Sequence, residues 1–177
     1  MVDLLEIIQN VVALLAPFSR LLYALCFIIG VLMVMSGLRA ASRRAETGIQ
    51  AGSYFKPFSQ ILIGVLFISL PALLLSLSET FFGTGIQSAD MIFAYAPHTL
   101  GLFDAGSPGR AMITGIIMII QFIGIIAVMR GLHLLNRSAQ GDGGPKTFGP
   151  GVTFLISGIA AVNFPLFFGA VERLITG

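Results

Sequence analysis

The chain has 177 residues, 56% of them hydrophobic and only 10% charged, with ten Lys and Arg against eight Asp and Glu. A water-soluble domain carries charge on about a quarter of its residues, so an ordinary soluble surface is excluded. The formal charge of +2 is too small to imply a nucleic acid partner, and no direct sequence-specific nucleic acid binding is expected.

The first element, Asp3 to Ala16, has Leu4, Leu5, Ile7, Ile8, Val11, Val12, Leu14 and Leu15 at helical spacing, with Asp3, Glu6, Asn10 and Ala13 opposite. This predicts an amphipathic N-terminal helix over residues 1–20, lying on the membrane surface or against a partner. Alternatively it lengthens the first span, with Pro17 as a kink. Asp3 and Glu6 stand where a secretory signal has a basic start, so no cleavable signal is expected.

Four uncharged stretches follow: Leu21 to Leu38, Pro57 to Ser78, Ala111 to Met129 and Gly151 to Val171. Each is roughly 27 to 33 Å long as helix, enough to cross the hydrocarbon core. They are apolar on all faces, which marks a span or the centre of a large core, and a chain this short cannot enclose four such helices. The fold class expected is an all-α membrane protein with four transmembrane helices. A first hairpin would occupy residues 21–83, an apolar periplasmic connection 84–114 and a second hairpin 115–177. Cys26, the single cysteine, falls inside the first span and reads as a small hydrophobe.

Seven of the ten basic residues fall in two connections: Arg39, Arg43, Arg44 and Lys56 in one, Arg130, Arg137 and Lys146 in the other. The rest of the non-spanning chain supplies Arg20, Arg110 and Arg173 beside the acids Asp3, Glu6, Glu79, Asp90, Asp104 and Glu172. The positive-inside rule puts both basic connections in the cytoplasm and both termini on the other side. These seven residues are also candidates to bind lipid headgroups or to line a positively charged lumen. The middle connection, Glu79 to Arg110, is long and apolar; a partly helical segment around Gln87 to Tyr95 is expected on the outer membrane surface or on a neighbouring subunit.

At an offset of 94, residues 27–83 align without a gap on residues 121–177. Identical pairs are Ile29/Ile123, Gly30/Gly124, Val34/Val128, Met35/Met129, Gly37/Gly131, Leu38/Leu132, Arg43/Arg137, Ala45/Ala139, Gly64/Gly158, Pro71/Pro165 and Gly83/Gly177. The coincident Gly, Pro and Arg are the informative ones, because such residues set backbone geometry rather than bulk hydrophobicity. The pattern predicts two tandem hairpins of the same orientation, a parallel repeat.

No Asp, Glu, Lys, Arg or His lies inside the four stretches, which counts against a proton- or ion-coupled transporter. Gln60, Gln121, Asn163, Ser69, Thr114 and Ser157 enter them instead and suit interhelical hydrogen bonds. Gly64, Ser157, Gly158, Ala160 and Ala161 are candidates for close helix packing, with Gln121 and Asn163 as polar anchors. His98 and His133 lack companion ligands, so no metal, cofactor or catalytic residue is expected. Gly141 to Thr147 superficially resembles a phosphate-binding loop but has Pro145 where a glycine is required.

The run Ser138 to Pro165, with Lys146-Thr147-Phe148-Gly149-Pro150-Gly151 followed by Gly158, Asn163 and Pro165, resembles small membrane proteins of type IVB secretion and conjugation systems. It is similar to the TraQ and IcmC/DotE group, with TraR and IcmD/DotP proteins as neighbours. The resemblance implies a structural, non-enzymatic subunit of a conjugative transfer apparatus in a bacterial inner membrane, associating with phospholipid and with its own copies or other secretion-system subunits. Each half is also similar in shape to a conjugative pilin, which implies a tandem-hairpin filament protomer as an alternative. A small transporter or channel is a further one.

Overall fold

The computed structural model describes residues 4–47, 55–82, 108–141 and 145–167, all helical except for turns at Ser69, Gly141 and Asn163. The helices are α1 (Leu4–Thr47), α2 (Phe55–Ile68), α3 (Leu70–Phe82), α4 (Pro108–Gln140) and α5 (Pro145–Val162), and residues 164–167 add a last helical turn. No strand occurs among the described residues.

Two helices are long and apolar enough to cross a membrane, over Ala13–Glu46 in α1 and Met112–Gln140 in α4. The remaining two expected stretches are interrupted. Pro57 to Ser78 becomes α2 and α3, bent by 74°, and Gly151 to Val171 is helical only to Val162 before its own break. Proline is the cause in both. A proline ring displaces the carbonyl four residues back and offers it no N–H; Pro71 and Pro165 stand two residues after the turns at Ser69 and Asn163.

The expected separate N-terminal helix is corrected: α1 is continuous through Pro17. The connections are corrected too. Arg39, Arg43 and Arg44 belong to the last turns of α1, and Arg130 and Arg137 to α4, while Lys56 and Lys146 are each the second residue of α2 and α5. Helical propensity carries through the Ala- and Arg-rich segment after Leu38, and cations near a helix C-terminus are favoured by its dipole. Gly141 then stops α4 with φ of 84°, the left-handed conformation glycine adopts at no steric cost, its N–H bonded to the carbonyl of Ser138 at 3.1 Å. The middle connection beyond Phe82 and the tail beyond Phe167 lie outside the described residues.

α1 packs on α2 and α4 on α5, and α4 also touches α1 and α2. The molecule is thus two helix pairs side by side, with α4 central. A core of Cys26, Ile63, Phe67, Leu70 and Leu74 from the first pair meets Ile125, Val128, Leu132 and Val162 from the second.

Candidate functional site

Each helix pair is held by glycine crossings that let two backbones touch. A methyl placed on Gly30 would lie 2.7 Å from the carbonyl oxygen of Gly64, and one on Gly64 would lie 3.0 Å from that of Gly30. In the second pair, a methyl on Gly124 would lie 2.9 Å from the Gly158 oxygen, and one on Gly158 would lie 2.7 Å from the Gly124 oxygen. Seven residues further along, Gly37 lies against Pro57 and Ile61, and Gly131 against Gly151 and Leu155. Each of these glycine contacts of the first pair recurs in the second at the offset of 94. Tight approach matters most in a medium where burial from water contributes nothing and helices associate through van der Waals contact and hydrogen bonds.

The breaks share this correspondence. Ser69 Oγ donates to the carbonyl of Val65 at 2.9 Å, and Asn163 Nδ2 donates to the carbonyl of Ile159, also at 2.9 Å; both acceptors lie four residues back, a side-chain bond that competes with the helix ladder. After Asn163 the Leu166 N–H turns to the Asn163 carbonyl at 3.0 Å, which leaves the Val162 carbonyl without that ladder bond. Gln121 of α4 supplies a replacement, its Nε2 donating to the Val162 oxygen at 3.2 Å. Buried carbonyls need such partners.

Of the residues singled out for packing, Gly64, Gly158, Gln121 and Asn163 are buried at these crossings and breaks. Ser157 is corrected: it is exposed, and its hydroxyl is satisfied within its own helix by the carbonyl of Thr153 at 2.7 Å. Ala161 is half-buried and lines a groove on the outer side of the second pair instead of a helix crossing. Gln60 does join two helices, through Nε2 to the hydroxyl of Ser36. Ninety-four residues on, the same two positions hold Arg130 and Phe154, with the guanidinium 5.4 Å from the ring centroid, so a cation–π contact replaces a hydrogen bond. No sequence pattern had singled out that pair.

The basic residues gather at one end. Arg39, Arg43, Lys56, Arg130, Arg137 and Lys146 are exposed and Arg44 is half-buried. The Lys56 amine lies 3.4 Å from where a methyl on Gly141 would stand, so the start of α2 adjoins the end of α4. Ser36, Arg39, Ala40, Arg43 and Arg44 of α1 line a shallow cleft of about 390 Å³. Compared with known proteins, the chain matches no family model, no curated protein and no solved structure. Among the described residues no three His, Cys, Asp or Glu side chains gather where they could hold a metal. His133 is exposed on α4, and His98 lies outside the described residues. The arrangement packs helices and presents an apolar surface with exposed basic side chains toward one end.

Proposed function

We propose that this chain is a non-enzymatic, multi-pass inner-membrane structural subunit of a type IVB secretion or conjugative transfer apparatus, acting by assembly. In this reading it consists of two tandem hairpins of one orientation, with the basic helix ends in the cytoplasm and both termini periplasmic. The polar side chains discussed above support assembly: Gln60, Ser69, Gln121 and Asn163 join or satisfy helices. The observation that carries the reading is the recurrence of one crossing, Gly30 on Gly64 and Gly124 on Gly158, within a surface that leaves Phe18, Phe27, Leu32, Leu38 and Ile156 exposed. Such a surface suits hydrocarbon or further helices. The resemblance of Ser138 to Pro165 to the TraQ and IcmC/DotE group supplies the apparatus.

Mass measurement of the gently detergent-extracted protein, with its co-purifying neighbours identified, tests this. Large complexes containing secretion-system subunits are expected; a monomer or dimer that changes solute flux in vesicles would instead make it a small transporter or channel. A second reading, a tandem pilin-like protomer, is favoured by the side-by-side basic ends at Lys56 and Gly141, since such ends could line a lumen. It requires the chain to appear in sheared extracellular filaments.

A further inference from the structure

The two helix pairs present the same faces but use them differently. In the first pair, Cys26, Phe67 and Leu70 are buried in the core shared with α4, with Leu66 packed beside them. Ninety-four residues on, the corresponding Ile120, Ala161, Phe164 and Ala160 line an open apolar groove of about 530 Å³. The alanines at the positions of Leu66 and Phe67 are what hollow it.

The converse holds for α4. Its Ile125 and Leu132, 0% and 1% exposed, form the core with the first pair, and Met129 packs against them. The corresponding residues of α1 are Val31, half-buried, and Leu38 and Met35, 56% and 47% exposed. Met35 and Leu38 are identical in type to the side chains that already fit this kind of seat from the other pair.

We infer that the groove around Ile120, Ala160, Ala161 and Phe164 seats the first helix pair of a second copy of this chain, which enters with Val31, Met35 and Leu38. The contact between copies then repeats the contact between the two halves of one copy. Such an interface is heterologous, joining two different patches, so copies add head to tail into a ring or an open filament. A lipid chain could fill a groove of this chemistry. It would give no reason for the complementary side chains on α1, whereas continuity with the interface inside the chain accounts for both surfaces. The inference rests on the reading that the protein works by assembly, and it names the partner and the surfaces.

A head-to-tail contact has a signature that mixing reveals. Ala160→Trp fills the groove and leaves the α1 face intact; Leu38→Trp overfills the α1 face and leaves the groove intact. In mild detergent the wild-type protein should form complexes, and each variant alone should run as a monomer with unchanged helix content. An equal mixture should give dimers containing one of each and nothing larger. Should either variant lose helix content, Ile156→Trp with Met35→Trp repeats the test at exposed positions of the same two faces. Variants that keep wild-type complexes, or folded variants whose mixture stays monomeric, overturn the inference and leave the assembly reading standing. Loss of bound phospholipid mass from Ala160→Trp with complex size unchanged assigns the groove to an acyl chain and overturns it as well. A monomeric wild-type protein overturns the assembly reading itself.

Discussion

Gly124 and Gly158 cross so closely that a methyl on either would come within 3 Å of the other's carbonyl oxygen, at 2.9 and 2.7 Å. Backbone atoms cannot swing aside as the end of a side chain can, so the helices themselves must separate. Gly158→Ala is therefore expected to cost about 1 to 3 kcal/mol by overpacking, and Gly158→Leu more. Gly30→Ala should act similarly on the first pair. In contrast Gly149, with nothing within 4 Å of an added methyl, should accept alanine without loss. Thermal unfolding in detergent, followed by helix signal, checks all four; equal effects of alanine at 149 and 158 would refute the crossing.

Gln121 reaches across to a carbonyl at a helix break. Gln121→Leu keeps the volume and removes the donor, leaving the Val162 oxygen unpartnered by α4. A loss of about 1 to 2 kcal/mol is expected, in line with interhelical bonds in membranes. Gln60→Leu, which loses a bond at a less buried position, should lose less. The same unfolding measurement ranks them, and the reverse order would count against the role given to Gln121.

Pro71 accounts for the 74° bend between α2 and α3. Pro71→Ala returns an N–H to the ladder, and spin labels at Phe58 and Glu79 should move apart. A straight helix would separate their backbones by about 31 Å, and the bent one by less. Pulsed electron resonance reads the change; an unchanged distance would put the cause of the bend elsewhere than in the proline.

Cys26 is fully buried in the core between the pairs. It should resist a membrane-permeant maleimide in the folded protein and react after denaturation, since reactivity needs access. Rapid labelling of the folded chain would mean that the two pairs do not pack as described.

The proposed orientation rests on the basic ends. Ser42 is exposed near the end of α1, so Ser42→Cys in a Cys26→Ser background should label only when the cytoplasmic side is opened, and Ser107→Cys from outside intact cells. Labelling of Ser42→Cys from outside would invert the proposed topology.

Much of this molecule was legible in its residues. The lack of charge over Leu21 to Leu38 and Ala111 to Met129 marks two long apolar helices directly, because composition alone decides whether a helix tolerates hydrocarbon. Gly64 and Gly158 are candidates for close packing from sequence, while their partners Gly30 and Gly124 are marked only as matched positions of the repeat. Less legible were the helix limits around Arg39 to Thr47 and Arg130 to Gln140, where charge suggested connections and helical propensity continued the helices. Ser157 looked like an interhelical anchor, yet a serine can satisfy itself on its own helix, and nothing in sequence says which it will do. The Arg130–Phe154 contact had no signal, since its counterpart 94 residues earlier is a different pair of chemical types, Ser36 and Gln60.

Sequence by itself determined that helices, not strands, would carry this chain and that two of them are apolar over a span's length, whereas the breaks before Pro71 and Pro165 fall in stretches that read as continuous spans. What it determined depends on local chemistry, the hydropathy of each stretch. Only the tertiary structure decided that α4 lies at the centre, that Leu132 is covered while Leu38 is open, and that Cys26 is enclosed while Ile120 borders a groove. Two nearly equivalent faces cannot both be turned inward in one chain, and which is covered depends on the order in which the pairs are joined and docked, which no single residue encodes.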